Sequence, residues 1–463
     1  MVKVDTAKSG ISAKHPSLYI LSRHFQERKP DPRQHGGSGT LDDPYIVTFL
    51  SHDPDNPLEF STTKKYFLTV LVAITTLSPT FVSTTYTASI QELTGHFHCS
   101  IEVATLGVSV FVLAFALGPL LWAPLSELYG RRPIFIVAYA GLTVFTAAGT
   151  GSRSIGALII MRFLAGFFGA CPLTNGGGTV ADMFILRERG KAMGIFSAAP
   201  FLGPALGPIF GGFVSESLGW RWLQGLMAII TGLIWIINIL VLPETYAPVL
   251  LQRMATKYTR QTENTYISVL DVGCSPVDPA SAFRQALLRP WALLFREPIV
   301  FLISIFMAVI YGTLYMFFGA FPIVFGENRG WSQGISGLAF LGIAVGMTLG
   351  IIYCILDNRR YIRVADRYKG SPPPEARLPP ALVGAVALPI GLFTFAWTNG
   401  SEIPWIVPII ASAPFAFSMV LVFLAGTNYL CDSYTIYAAS VLAAASVIRS
   451  VCGATFPMFV KIM

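Results

Sequence analysis

Eleven apolar runs, each long enough to cross a lipid bilayer, follow one another through this sequence. A spanning helix takes roughly 20 apolar residues, and inside lipid every backbone N–H and C=O must be satisfied within the segment. The runs lie near 65–88, 102–124, 132–150, 155–180, 189–214 and 220–243, then near 298–321, 334–356, 380–398, 403–427 and 434–460. Only 12% of the residues are charged, against about 25% in a soluble domain. The expected fold class is all-α integral membrane, a bundle of helices.

The runs divide the chain into four parts: a polar tail over 1–64, a six-span bundle over 65–243, a polar central loop over 244–297 and a five-span bundle over 298–463. The tail is proline-rich, has no apolar core of the signal-peptide kind and is expected to be disordered. Of the 32 Lys and Arg residues, 26 fall on the side of the tail and four on the other. Two more, Arg162 and Arg449, lie within spans. This asymmetry predicts a cytoplasmic N-terminus and accounts for the net charge of +7 without a nucleic-acid partner. The six cysteines have no metal-ligand spacing. No catalytic constellation stands out, and neither an enzyme nor a metal site is expected. Asn399, in Asn399-Gly400-Ser401, is a candidate glycosylation acceptor in a short loop on the outer side.

Three stretches carry chemistry beyond hydropathy. The turn after the second span reads APLSELYGRRPIFIV, where Gly130 permits a tight turn and Glu127 stands four residues before Arg131, with Arg132 next. The fourth span, MRFLAGFFGACPLTNGGG, holds Arg162. A buried arginine is costly in a bilayer and is a candidate for function, the alternative being snorkelling to the interface. The fifth span contains GPALGPIFGG. Its Gly203, Gly207 and Gly211 share one helix face that a neighbour can approach closely, while Pro204 and Pro208 remove donors and bend the helix.

These stretches resemble the major facilitator superfamily, whose turn between spans two and three carries G-x-L-a-D-R-x-G-R-R. Ala123, Leu125, Glu127, Leu128, Gly130, Arg131 and Arg132 occupy the matching positions, with three departures. The resemblance implies a cytoplasmic lock in which Glu127 caps the start of span eleven and Arg131 pairs with Asp182. Arg162 with Gly166 is similar to a span-four motif of proton-coupled drug exporters. Gly203, Gly207, Pro208, Gly211 and Gly212 match G-x-x-x-G-P-x-x-G-G, the span-five signature of the antiporter branch. Further strings, among them GWRW, LPETYAPVLL and YGTLYMFFGAFPIVF, resemble fungal twelve-span drug:proton antiporters.

The same resemblance implies a fold of two six-helix halves, the second represented by five spans because the chain stops at FVKIM, short of a twelfth. It also implies export of a small organic molecule, a secondary metabolite, toxin or drug, in exchange for protons. The transporter would work as a monomer in the plasma or vacuolar membrane, with the proton gradient and no cofactor as its energy source. Candidate pocket residues are Tyr86, Asn175, Tyr311, Tyr315, Phe318 and Asn428, with Arg449 able to pair with substrate or with a span-five or span-ten carbonyl. Their rings suit bulky apolar molecules or planar cations. In the second half LDNRRYI stands where ELYGRRPI stood, Asn358 replacing Gly130. No carboxylate lies deep in a span, so no residue is assigned the coupling proton. A nutrient facilitator or importer and an inactive truncated transporter are the competing readings.

Overall fold

The computed structural model describes residues 36–40, 43–50, 53–262, 264–272, 279–368 and 372–460. Serines start four of its helices. The hydroxyls of Ser61, Ser100, Ser154 and Ser332 each accept the backbone N–H three residues on, which satisfies a first-turn donor that has no partner within the helix.

Helix α1 (Thr62–Thr85) tightens into a 3₁₀ turn at Tyr86–Ser89 and continues as α2 (Ile90–Phe97). Then come α3 (Ile101–Tyr129), α4 (Arg131–Thr150) and α5 (Ile155–Met183). Helix α6 (Leu186–Val241) has 56 residues, about 84 Å if straight at 1.5 Å per residue. It is broken at Gly219, whose φ is +82°. Arg189 near its start and Thr245 just past its end both reach the end of α5, at Ala181 and Asp182, so the chain doubles back at the glycine. Glu92 steadies the break: its Oε2 accepts from Trp220 N at 2.7 Å, a negative group at a helix start.

The second half contains α9 (Pro298–Phe321), α10 (Gln333–Leu338), α11 (Leu341–Arg367), α12 (Pro379–Thr398), α13 (Ile406–Ser433) and α14 (Ala438–Phe459). Among the described residues, ten helical segments are long and apolar enough to cross a membrane. With α6 taken as two arms, the crossings fall where the eleven apolar runs lie. The face that holds Gly130, Asp182 and the segment after α6 is called the basic face below.

Between the halves, the expected central loop contains α7 (Ala247–Thr262) and α8 (Pro279–Arg296). A further correction concerns the tail, whose first 35 residues lie outside the described ones. Its β1 (Tyr45–Val47) pairs in parallel with β2 (Tyr266–Ser268) of the central segment. Val47, Leu251, Met254, Tyr258 and Tyr266 close a small core there. This part of the tail is therefore ordered, because its short apolar run finds cover on α7. In the second half α11 runs unbroken through Asn358, so LDNRRYI does not repeat the Gly130 turn of ELYGRRPI. No turn forms there, and the side chain instead lies against Gly190 of α6.

Candidate functional site

Glycine sets the geometry at the basic face. Gly130 joins α3 to α4 with φ +98°, a conformation that L side chains avoid. A Cβ there would also overlap the carboxylate of Glu244. That carboxylate accepts from Arg131 N at 2.8 Å and Arg132 N at 3.2 Å, capping α4. Glu244 stands in LPETYAPVLL, where the sequence alone assigns it no role. Gly130→Ala is expected to cost about 1–3 kcal/mol through the left-handed backbone and the displaced cap. Thermal unfolding in detergent checks this, and an unchanged Tm would refute it.

Arg131 is 9% exposed and is held from several helices. Its Nε donates to Asp182 Oδ2 at 3.2 Å and its Nη1 to Ser126 Oγ at 2.7 Å. Its guanidinium lies on Gly178, where a Cβ would come within 2.7 Å, and over the Tyr246 ring at 4.9 Å. Glu244 holds its backbone. Burial, and after it the Glu127 carboxylate, push the Tyr246 phenol up from its ordinary pKa. Arg132 Nη2 donates to Ile239 O at 3.0 Å. The structure thus brings Arg131 and Asp182 together. It does not place Glu127 as a cap: that side chain is exposed, and among the described residues no hydrogen bond joins it to the start of α14. The cap in this cluster is Glu244, from the segment between α6 and α7, and the helix it caps is α4.

The glycines of GPALGPIFGG divide between two neighbours. A Cβ on Gly203 or Gly207 would overlap Thr80 Oγ1 or Thr84 Oγ1 of α1, and one on Gly211 would lie 2.6 Å from Thr85 O. Gly212 faces the other half, where a Cβ would lie 2.7 Å from Gln333 O. Pro208 has no N–H, so the Pro204 carbonyl loses its helical donor. Thr84 Oγ1 takes that carbonyl at 3.1 Å. The prolines therefore create the acceptor, and the glycines let α1 come near enough to use it.

Arg162 does not snorkel. It is 3% exposed, with Nε on Gly107 O at 3.1 Å, Nη1 on Val82 O at 3.0 Å and Nη2 on Ser83 O at 2.8 Å. The change from α to 3₁₀ at Tyr86 leaves such carbonyls at the end of α1 short of donors, and a cation is favourable at a helix C-terminus. The Tyr86 and Phe111 rings flank the guanidinium at 4.6 and 4.3 Å. Gly166 lets α5 reach this depth, since a Cβ there would overlap Phe111 O.

A cavity of about 280 Å³ lies between the halves, toward the face opposite the basic one. Tyr315, Phe318, Phe340 and Trp331 supply its rings and Glu102, Glu327 and Gln91 its polar groups. At the basic face the halves touch, Gly190 and Gly194 of α6 packing on Asn358 and Ile355 of α11. Of the candidate pocket residues, Tyr315 and Phe318 line the cavity. Tyr311 and Arg449 stand behind Tyr315, where Tyr311 Oη donates to Tyr315 Oη at 3.4 Å and the Arg449 guanidinium lies 5.2 Å from the Tyr311 ring.

Three of the candidates need correction. Tyr86 is 1% exposed and packed on Gly107, its hydroxyl on Ala104 O at 3.1 Å. Asn175 belongs to the basic-face cluster, accepting from Ser126 Oγ at 2.9 Å. Asn428 is exposed. Their sequence depth is right for a pocket, but none of the three lines the cavity.

Residues 71–457 match the family model described as Major Facilitator Superfamily. An MFS-type efflux pump of Trichophyton rubrum is 55% identical over 92% of this chain and 72% of its own. A major facilitator superfamily multidrug transporter of Aspergillus fumigatus is 56% identical over 92% and 70%, and an efflux pump of Fusarium oxysporum 49% over 96% and 75%. Among solved structures, the xylose transporter XylE from E. coli, in a partially occluded inward open conformation, superposes with a TM-score of 0.61. It covers 86% of this chain and 92% of its own at 16% identity, a likeness of fold alone.

Proposed function

This chain belongs to the Major Facilitator Superfamily, and from that premise we propose that it exports small organic molecules, secondary metabolites, toxins or drugs, by proton antiport. It is a multi-pass membrane transporter and not an enzyme. The observation that carries the reading is the ring-lined cavity between two halves that touch at the opposite end. A site between two related halves, reached from one side at a time, is the arrangement alternating access needs. The names of the relatives support outward movement, and the Gly203–Gly212 signature supports exchange for a proton.

In this reading 65–243 and 298–463 rock against each other as a monomer, with 244–297 as their connection. The basic face, together with the N-terminus, is cytoplasmic, and the membrane is the plasma membrane or the vacuolar one. The proton gradient supplies the energy with no cofactor. Contact between Arg131 and Asp182 holds the basic face closed and breaks on switching.

Cells expressing the protein are expected to accumulate several-fold less of a transported toxin than cells without it. A proton uncoupler is expected to abolish the difference. Equal accumulation in the two strains would overturn export, and a difference untouched by the uncoupler would overturn proton coupling.

A further inference from the structure

Two arginines lie within the spans, Arg162 buried and Arg449 half-buried, and among the described residues neither pairs with a carboxylate. Among the described residues, five acids at the ends of the spans are engaged elsewhere. Glu92 accepts from Trp220 N, Glu216 from Gly334 N, Asp182 from Arg131, Asp357 from Arg360 and Asp432 from Arg377. Arg162 is satisfied by three carbonyls. Arg449 differs. Its Nη2 donates to Ser446 Oγ at 3.2 Å, whereas its Nε is buried with no acceptor. Arg449 is half-buried, and an idle buried donor on its guanidinium calls for an explanation.

The surroundings of Arg449 are aromatic and hydroxylic. Its guanidinium lies 5.2 Å from the Tyr311 ring and 5.8 Å from that of Phe423. Phe201 meets Phe423 edge-on at 5.8 Å, bringing an α6 ring to the cluster. Tyr311 reaches Tyr315 at 3.4 Å, and Tyr315 reaches Ser83 Oγ of α1 at 3.3 Å. The cluster thus spans both halves and touches the cavity through Tyr315.

We propose that Arg449, with Tyr311 and Tyr315, forms the binding site for an organic anion, a carboxylate carried on a planar ring. This rests on the export reading and names its substrate class. The Nε and Nη donors of a guanidinium form a fork that fits the two oxygens of a carboxylate. The rings of Tyr311 and Phe423 would flank the substrate ring, and the anion would neutralise the charge the bundle leaves open. A planar cation, the class suggested by the aromatic content, would meet a like charge here. A neutral amide would use the donors less well.

The test uses the full-length protein in proteoliposomes and three probes of matched shape: benzoate, benzamide and benzylammonium. Thermal stabilisation is measured for each, and movement of each under a pH gradient is followed in parallel. Benzoate is expected to bind at least tenfold more tightly than the other two. Arg449→Gln is expected to remove that preference while benzamide binding stays measurable, which shows that the variant is folded. Arg449→Lys is expected to keep the preference in weakened form. Equal binding of the three probes by the unaltered protein, or a preference for benzoate that survives Arg449→Gln, would overturn the anion site even if gradient-driven transport is seen. A benzoate preference that Arg449→Gln removes, with no gradient-driven movement of any probe, would support the site and count against the export reading.

Discussion

Gly207→Leu is expected to abolish transport and to remove most of the folded protein from detergent extracts. Even a Cβ at this position overlaps Thr84 Oγ1 and comes within 2.8 Å of Thr85 N. The second of these is backbone, which cannot swing aside. A leucine must force α1 and α6 apart, and overpacking of a close contact costs about 1–3 kcal/mol. Separation would also break the bond from Thr84 to the Pro204 carbonyl, leaving a buried acceptor unpaired at a further cost of about 1–3 kcal/mol. Gly225→Ala, in the other arm of α6, is the control. The nearest atom to its Cβ would be Thr150 Cγ2 at 3.8 Å, and alanine is the better helix former by about 1 kcal/mol. The control should express and transport as the parent does. Normal efflux from Gly207→Leu would show that close packing of α1 on α6 is not needed for function.

Much of this fold is legible in the sequence because lipid permits so few solutions. The eleven crossings follow from hydropathy, and the break at Gly219 follows from a glycine between two apolar runs. The glycine face at 203, 207 and 211 is a matter of helical spacing and meets its neighbour as spacing requires. What spacing cannot give is the rotation of one helix against another. Asn175 and Asn428 have a depth suited to a pocket, yet one bonds to Ser126 and the other is exposed away from the cavity lining. The same gap hides Glu244. A carboxylate just after the sixth span is visible, but only the packing of the second arm of α6 on α4 brings it to Arg131. Arg162 is visible as a buried cation, while its acceptors are not. Two of them, the Val82 and Ser83 carbonyls, stand at the end of α1 just before a 3₁₀ turn at Tyr86–Ser89 that no glycine or proline marks, and the third is Gly107 O of α3.

A shared physical device links these hidden contacts. Glu92, Glu216 and Glu244 each cap the start of a helix to which they do not belong, at Trp220, Gly334 and Arg131, Glu244 doing so from the segment between α6 and α7. A negative group placed there satisfies free N–H donors and meets the positive end of the helix dipole. In lipid, with no water to compete, such caps tie one helix end to the flank of another. Glu216 and Gly334 belong to different halves, so this cap must shift if the halves rock apart on that side. Glu244 and Arg131 belong to the same half, so theirs can persist through the whole cycle.

Arg131→Ala is expected to lower transport at least tenfold without preventing insertion. The substitution removes the Asp182 ion pair, the Ser126 hydrogen bond and the stacking on Tyr246, while Glu244 still caps α4 through backbone donors. A hydrogen bond to a charged group contributes about 1.5–3 kcal/mol. As a shift between two conformations, that is about tenfold to a hundredfold. The closed basic face should therefore lose population, and a pair of cysteines can report it. Gly190 and Asn358 touch across the halves, so Gly190→Cys with Asn358→Cys, in a background stripped of native cysteines, should cross-link when that face is closed. Adding Arg131→Ala should slow the cross-linking at least fivefold. Asp182→Asn should slow it less, because Arg131 keeps Ser126 and Tyr246. Full transport with unaltered cross-linking in Arg131→Ala would mean that the cluster braces the first half and takes no part in closing the face.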